Sequence, residues 1–286
     1  MKNIPYLTPE KIHEFIRLAL QEDVGAGDHS SLGSIPQGKQ GQAQLIIKEK
    51  GIIAGLQLAE MIFRQFDPDL KVELLMYDGS EVKAGDIGLT VKGSAISILT
   101  TERLVLNCLQ RMSAIATKTH NLNQIISHTK ARLMDTRKTT PNFRLMEKWA
   151  VVLGGGLNHR FALYDMVMLK DNHIDFAGGI RQAIESTKSY LDSKKLNLKI
   201  EVETRTLAEV KEVLDVGGVD FIMLDNMDYP TMREAIRLVN GRFPIEASGG
   251  ITEETLKDVA ECGVDFISVG ALTHHVKSMD ISLKAF

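Results

Sequence analysis

Short apolar runs alternate with stretches of helical periodicity through the second half of the chain. Each run ends in a polar or small residue. The stretches between the runs place apolar residues three and four positions apart, which predicts helices that bury one face. The predicted strands are 132–136, 166–170, 199–204, 220–225, 244–248 and 265–270, and the predicted helices between the later strands are 207–216, 232–239 and 253–262.

This alternation predicts an α/β fold with a parallel sheet, because a helix after each strand returns the chain to the same edge. The final four strands end at Glu203, Asp225, Ser248 and Gly270, which are 22 or 23 residues apart, the length of one strand–helix unit. At least six units are present, and no G-x-G-x-x-G follows any strand. A (β/α) barrel is therefore favoured over a doubly wound sheet.

The first half has a mixed pattern that predicts a smaller α+β domain. We place this domain at residues 1–112 and a catalytic α/β-barrel domain at 113–286, with the last ~15 residues packing back on the N-terminal domain. The predicted elements are a helix beginning at Thr8-Pro9, strands at 42–50, 71–77 and 87–91, a helix at 56–66, and two helices within 96–129 that break near Ser113.

Composition excludes several classes of protein. The chain has 286 residues, 44% hydrophobic and 25% charged, with a net charge of −3 and a pI near 6.3, which argues against general binding of nucleic acid. No apolar stretch reaches the ~18–20 residues that span a bilayer, and the first residues lack a signal-peptide pattern. We expect a cytoplasmic protein without a membrane partner. Cys108 and Cys262 lie far apart and are expected to be small buried hydrophobes.

Positive charge is concentrated between residues 132 and 173. This segment has seven lysines and arginines against four acids, a surplus of +3 in a chain whose total is −3. Several of these cations directly follow short apolar runs, and cations at the ends of buried strands converge on a point. The segment is therefore predicted to form the floor of a site for a small, multiply anionic substrate.

Charged side chains follow four of the predicted strands. In parallel α/β barrels the ligand site lies at the carboxyl ends of the strands. Arg137, Lys138 and Lys170 follow the first two strands, and Glu203 and Asp225 end the next two. The two carboxylates can ligate Mg²⁺, directly or through water, or accept hydrogen bonds from sugar hydroxyls.

Small residues follow the last two strands. Ser248-Gly249 and Gly270-Ala271 lead into helices, where main-chain N–H groups can approach a phosphate. The alternative is that these glycines only make tight turns. The three glycines at 154–156 have two equal interpretations, a phosphate cradle or the end of a helix.

Seven ordered motifs carry a resemblance to a known family. They are DTRKTTPNFR, GGGLNHRFAL, MLKDNH, EVET, LDN, EASGGI and SVGALTH. Together they resemble the quinolinate phosphoribosyltransferases, and the resemblance extends over essentially the whole chain. The sequence departs from the usual pattern at Ser30, Asn142 and Trp149, where the family usually has Thr, Gly and Tyr. None of these changes removes a charged group.

The resemblance implies a reaction and a set of site residues. The reaction transfers phosphoribosyl from 5-phosphoribosyl-1-pyrophosphate to quinolinate with Mg²⁺ and no organic cofactor, and gives nicotinate mononucleotide, CO₂ and pyrophosphate for NAD biosynthesis. It also implies an incomplete barrel and a homodimer, or a higher oligomer, in which the N-terminal domain faces the partner and Arg103 reaches the partner's site. The implied catalytic residues are Lys138, Glu203 and Asp225, the last two near the metal, and the implied substrate-binding residues are Arg103, Arg137, His159, Arg160, Lys170, Ser248, Gly249, Gly270 and Ala271.

Three other functions fit parts of the pattern. A nicotinate phosphoribosyltransferase shares the architecture but takes a monocarboxylate, which fits the surplus of cations less well. A barrel isomerase or aldolase would use Lys170 as a Schiff-base lysine in an apolar pocket, whereas Asp171 follows this lysine directly. A non-catalytic phosphate binder would keep the glycine turns without needing Glu203 and Asp225.

Overall fold

A computed structural model describes residues 4–286, which form two compact units. The first unit contains the described residues up to His120 together with Thr139–Gly155 and Leu272–Phe286. The second unit contains Asn121–Lys138 and Gly156–Ala271. A single cut along the chain does not reproduce these units, and the boundary at residue 112 stays a prediction.

The described residues contain helices and strands in alternation. The helices are α1 Pro9–Val24, α2 His29–Ser34, α3 Leu56–Phe66, α4 Ala95–Ile126, α5 Arg144–Leu153, α6 Asp171–Ala177, α7 Ile180–Lys194, α8 Leu207–Val216, α9 Tyr229–Val239, α10 Glu253–Glu261 and α11 Ala271–His274. The strands are β1 Gln40–Ile47, β2 Gly51–Ile52, β3 Lys71–Leu74, β4 Glu81–Val82, β5 Ile87–Ser94, β6 Arg132–Met134, β7 Val167–Leu169, β8 Ile200–Thr204, β9 Phe221–Asp225, β10 Ile245–Ser248, β11 Phe266–Ser268 and β12 Ile281–Ala285. No helix among these is both long and apolar enough to cross a membrane.

The first unit is built on an antiparallel sheet in the order β12-β1-β5-β3. The C-terminal strand β12 pairs with β1, from Ala43 opposite Ala285 to Ile47 opposite Ile281. Helix α1 begins as predicted, since the Thr8 hydroxyl accepts from the Lys11 main chain at 3.4 Å and proline occupies the first turn. The smaller α+β domain predicted from the pattern is confirmed as a fold class.

Helix α4 is continuous, so the predicted break near Ser113 is wrong. Ser113 is fully buried, and its hydroxyl lies 3.0 Å from the main-chain nitrogen and 3.2 Å from the carbonyl of Ala54. One helical turn later, the Thr117 hydroxyl accepts from the Ile52 main chain at 2.8 Å. Both hydroxyls therefore form hydrogen bonds with main-chain groups of the neighbouring segment at residues 52–54, and the hydrogen bonds within the helix stay intact.

The second unit is built on six parallel strands in the order β6-β11-β10-β9-β8-β7. The first strand of the unit, β6, pairs with the last, β11, as it does in a closed barrel. Strands β6 and β7 do not pair among the described residues, so the barrel is incomplete, as predicted. The other edge of β6 bonds the segment at Leu157, which forms a parallel bridge with Met134.

The sheet of the second unit is buried along its length. Val202, Ile222, Leu224, Ala247 and Ile267 have no exposed surface, and the helices after the strands cover them with one apolar face each. Strand β8 is buried at all five positions, although two of them are glutamates. The strands therefore bring their carboxyl ends to one edge of a rigid sheet.

The three glycines at 154–156 end a helix. Gly154 caps α5, and a Cβ at this position would lie 2.3 Å from the carbonyl oxygen of Ala116. Gly155 follows with a φ of 91°. The helix-terminating interpretation therefore accounts for this run.

Asn142, in place of the usual glycine, adopts a φ of 61°, which asparagine tolerates better than most side chains.

Candidate functional site

The predicted site residues of the second unit lie at the carboxyl ends of its strands or just beyond them. Arg137 is half-buried and Lys138 exposed in the loop after β6. The remaining positions follow the same order as the strands: Lys170 after β7, Glu203 in β8, Asp225 and Ser248 at the ends of β9 and β10, and Gly270 and Ala271 after β11. Arg103 belongs to the first unit, where it is exposed on α4.

Lys170 and Glu203 form an ion pair across neighbouring strands. The ammonium lies 3.5 Å from a carboxylate oxygen of Glu203, whose side chain is 8% exposed, while the Lys170 side chain is 48% exposed. The main-chain N–H of Asp171 donates to the other oxygen of Glu203 at 3.5 Å. A half-exposed lysine paired with a carboxylate is the opposite of the apolar environment that a Schiff-base lysine needs. The geometry therefore disfavours the aldolase alternative.

The loops after β9 and β10 are interlocked through Asn226. Its main-chain N–H donates to the carbonyl of Ser248 at 3.0 Å, and its side-chain amide donates to the Asp225 carboxylate at 2.7 Å. Gly249 follows with a φ of 97°, and a Cβ there would lie 2.4 Å from the side-chain oxygen and 2.7 Å from the main-chain nitrogen of Asn226. Only glycine fits this crossing without displacing main chain.

A buried cluster of His159, Glu201 and Glu246 lies inside the second unit. The Nε2 atom of His159 is 2.8 Å from a carboxylate oxygen of Glu201 and 3.4 Å from one of Glu246. The side chains are 6%, 0% and 1% exposed. The main-chain N–H of Arg160 faces the other ring nitrogen at 2.6 Å, so both nitrogens of the imidazole have partners.

Asp135 holds the main chain on the N-terminal side of this histidine. It directly follows β6 and has no exposed surface. One carboxylate oxygen accepts from the main-chain N–H of His159 at 2.9 Å, and the other accepts from the side-chain amide of Asn158 at 2.5 Å. The segment that ends at Arg160 is therefore attached to the end of β6.

The buried cluster retains protons that the unfolded chain would release. Burial alone would lower the pKa of His159, but Glu201 and Glu246 outweigh it and raise this pKa to about 10. Burial and the neighbouring Glu246 raise the pKa of Glu201 to about 7.

Arg160 directly follows His159 in the chain, and its guanidinium is near enough to Arg137 to be affected by that charge. The Arg160 side chain donates to the carbonyl of Met166 at 3.2 Å. Burial, followed by repulsion from the neighbouring Arg137, lowers the pKa of Arg160. Two adjacent guanidiniums form a natural receptor for two adjacent carboxylates.

A second network organises the chain after Lys138 within the first unit. The buried Glu147 accepts from the Arg111 guanidinium at 2.8 Å and from the main-chain N–H of Thr140 at 3.0 Å. Its carboxylate also accepts from the Thr140 hydroxyl at 2.9 Å. Arg111 is thus tied to a buried carboxylate and fixes the residues that follow Lys138 in the chain.

The sequence pattern did not identify Asp135, Glu201, Glu246 or Asn226. The sequence did contain a sign that the three acids are buried, since each of them stands within or beside a short apolar run. An acid in such a run is more often a solvent-facing residue of a half-buried strand, so the pattern alone did not mark these positions. Their burial becomes evident only when the sheet is known to be covered on both faces.

The fold and the cations paired with acids at the strand ends define an α/β-barrel enzyme. Two family models match the chain: the N-terminal domain of quinolinate phosphoribosyl transferase over residues 23–113 and its C-terminal domain over residues 115–284. Together they cover most of the 286 residues. The chain therefore belongs to the quinolinate phosphoribosyltransferase family, and the resemblance of its motifs is confirmed.

Several named relatives match over nearly the whole chain. Quinolinate phosphoribosyltransferase (decarboxylating) 2b, mitochondrial, of Nicotiana tabacum is 48% identical and aligns over 96% of this chain and 82% of its own length. Nicotinate-nucleotide pyrophosphorylase (carboxylating), chloroplastic, of Arabidopsis thaliana is 49% identical over 94% and 81% of the two chains. The crystal structure of NadC from Streptococcus pyogenes has a TM-score of 0.91 at 40% identity and covers 97% of each chain.

A human nicotinic acid phosphoribosyltransferase has a related fold. It is 14% identical with a TM-score of 0.64, covering 96% of this chain and 73% of the human one. This likeness shows the shared architecture alone. The family match, by contrast, rests on sequence over both domains.

The prediction of a cytoplasmic location is wrong. Relatives at 48–49% identity are named mitochondrial in Nicotiana and chloroplastic in Arabidopsis. The names of these relatives therefore place members of the family in more than one compartment.

Gly249→Ala tests the crossing of the two loops. Gly263→Ala is the matched control, because Gly263 has a φ of 101° and open space where the added methyl group would lie, whereas the methyl at Gly249 meets Asn226. We expect the control to lose about 1–2 kcal/mol of unfolding free energy from its backbone conformation. Gly249→Ala should lose a further ~1–3 kcal/mol from overlap in urea unfolding. Equal losses in the two variants would contradict the interlocked geometry.

Proposed function

We propose that the strand ends of the second unit bind quinolinate and 5-phosphoribosyl-1-pyrophosphate and join them with loss of CO₂. The products are nicotinate mononucleotide, CO₂ and pyrophosphate. Membership of the family makes the chain a decarboxylating quinolinate phosphoribosyltransferase of NAD biosynthesis. The observation that carries the assignment to this place is the set of charged residues at the carboxyl ends of the parallel strands, where Lys170 pairs with Glu203 at 3.5 Å and the charge of Arg137 acts on Arg160.

Arg137 and Arg160 suit the two adjacent carboxylates of quinolinate. Each guanidinium offers a planar fork of donors that matches one carboxylate. Nicotinate has only one carboxylate, so it would leave one of two mutually repelling cations without a counter-charge. This argument supports quinolinate over nicotinate as the substrate.

Glu203 and Asp225 suit the ribose and a divalent metal. Mg²⁺ prefers carboxylate oxygens and keeps several waters, and these two acids end neighbouring parallel strands. The residues present therefore fit a Mg²⁺ ion that, when bound, neutralises charge on the pyrophosphate. Lys138 and Lys170 are proposed to contact the pyrophosphate, and Ser248-Gly249 with Gly270-Ala271 to receive the 5′-phosphate.

The chemistry needs charge stabilisation more than proton transfer. The pyridine nitrogen of quinolinate uses its lone pair to form a bond to C1 of the ribose, and the C1–O bond to pyrophosphate breaks. Positive charge develops on the ribose, where Glu203 or Asp225 favours it, and the lysines stabilise the departing anion. The resulting pyridinium accepts the electron pair when the adjacent carboxylate leaves as CO₂, and a solvent proton replaces the carboxylate on the ring.

Arg103 is proposed to act in the site of a second copy of the chain. It is exposed on α4 in the first unit, so it is available to another molecule. A homodimer with shared sites would then be the smallest active species. This proposal rests on the family resemblance and on the exposure of this side chain.

The function is tested with quinolinate labelled at the 2-carboxylate, together with Mg²⁺ and 5-phosphoribosyl-1-pyrophosphate. We expect one labelled CO₂ for each nicotinate mononucleotide formed, and no product from nicotinate in a parallel reaction. Product from nicotinate alone would refute the dicarboxylate assignment.

Two amide variants serve as controls in the same assay. Glu203→Gln and Asp225→Asn keep shape but remove charge, so turnover should fall by about 10²–10³ while thermal unfolding stays cooperative. Full activity in both variants would remove these acids from the site.

Mixed dimers test whether sites are shared. Arg103→Ala and Lys138→Ala chains should each be nearly inactive, because each lacks one contributor to every site. After mixing and exchange, about a quarter of wild-type activity should return, since half the dimers are mixed and each regains one complete site. Absence of recovery in a mixture that contains heterodimers would place Arg103 outside the partner's site.

A further inference from the structure

Three acids of the second unit have almost no exposed surface. Asp135, Glu201 and Glu246 have exposures of 0%, 0% and 1%. Burial of carboxylates is costly unless each is paired and hydrogen-bonded. One oxygen of Glu201 and one of Glu246 have no hydrogen-bond partner among the described residues. These side chains are therefore poorly explained as stabilising elements of the core.

The three acids act on one short piece of chain. Asp135 binds the main-chain N–H of His159 and the side chain of Asn158. Glu201 and Glu246 bind the imidazole of the same histidine from strands β8 and β10. The segment is thus held at its main chain and at its side chain, and the next residue is Arg160.

Arg160 needs such support because its neighbour carries the same charge. Arg137 and Arg160 repel each other before an anionic substrate arrives, which would favour their separation. Asp135 lies two residues before Arg137 and also binds the segment that carries Arg160. The buried acids therefore connect the two chain segments from which both guanidiniums project.

We propose that Glu201 and Glu246 are positioning residues for the dicarboxylate: they hold the imidazole of His159, and through it the main chain that presents Arg160 beside Arg137. The inference rests on the proposed function, because it assumes that Arg160 binds quinolinate. It deepens that function by assigning roles to acids that never need to touch the substrate.

His159, Glu201 and Glu246 also have the composition of a divalent-metal site, since their ligand atoms lie within 4.8 Å of one another. The distance of 2.8 Å between Nε2 of His159 and Glu201 is that of a direct N–H···O hydrogen bond, which fits the positioning role. The positioning role and the metal role predict different results, so the experiment distinguishes them.

Glu201→Met is the decisive variant because methionine fills similar space but accepts no hydrogen bond from His159. We expect the KM for quinolinate to rise about ten- to a hundredfold, as displacement of a binding group can cost this much. The KM for 5-phosphoribosyl-1-pyrophosphate and the kcat should change less than about threefold. The variant leaves His159 with a single carboxylate partner, so the melting temperature should fall, and cooperative unfolding above the assay temperature checks that the protein remains folded.

Glu201→Gln is the conservative rescue. Its oxygen can still accept from His159, and its amide can donate to Glu246, whose negative charge acts on Glu201 in the native cluster. Most of the affinity for quinolinate should therefore return. Asp220→Asn is the control at the opposite end of the sheet, where Asp220 accepts from the main chain of Ile200 at 2.7 Å, and both KM values should be unchanged.

A double-mutant cycle with His159→Asn tests whether Glu201 acts through the histidine. In the His159→Asn background, Glu201→Met should change the KM for quinolinate by less than about twofold. Independent, multiplying effects would overturn the proposal. An unchanged quinolinate KM in Glu201→Met would do the same.

Two further measurements separate the proposal from its alternatives. Arg160→Lys should raise the quinolinate KM. If it does not, the site assignment fails, whereas a higher quinolinate KM in Arg160→Lys without a higher one in Glu201→Met rejects only the positioning role.

Metal analysis of the purified protein should find no ion that depends on Glu201. One equivalent of a divalent ion that Glu201→Met loses would establish a metal site and reject the proposal.

Discussion

The contact between the imidazole of His159 and the carboxylate of Glu201 links the interior of the second unit to the segment proposed to bind the substrate. At 2.8 Å it joins a buried strand to the segment that carries Arg160. Asp135 fixes the same segment to the end of β6. Without these contacts, the cations at the strand ends would lie on loops that like-charge repulsion drives apart.

Parallel topology explains why the site needs such internal acids. All six strands bring their carboxyl ends to one edge, so the polar residues that follow them converge whether or not their charges are compatible. In this chain, Lys170 is paired with Glu203, and Arg160 follows His159, whose main chain and ring contact three buried carboxylates. Under the proposed function, these acids would restrain the cations before an anionic substrate binds, which is the preorganisation that electrostatic binding requires.

Local signals predicted the elements well, and the order of the strands followed from them. Residues 56–66 and 207–216 were predicted with the bounds that the structure has, because glycine and capping residues mark their ends. The break near Ser113 was predicted wrongly, since a serine within a helix gives no local sign of its partner at Ala54. The three buried acids were missed because Asp135, Glu201 and Glu246 are far apart in sequence, and only the barrel brings them to one histidine, Asp135 to its main chain and the two glutamates to its ring.

The most direct test of the account is calorimetric binding of quinolinate and of nicotinate to the wild-type protein under the same conditions. A site with two restrained guanidiniums should bind the dicarboxylate at least about a hundredfold more tightly than the monocarboxylate, because the second cation is otherwise left without its charge-assisted hydrogen bonds. That result would support recognition of both carboxylates by the strand-end cations. Equal affinities would contradict recognition of both carboxylates. The surplus of cations between residues 132 and 173 would then have no role in choosing the substrate.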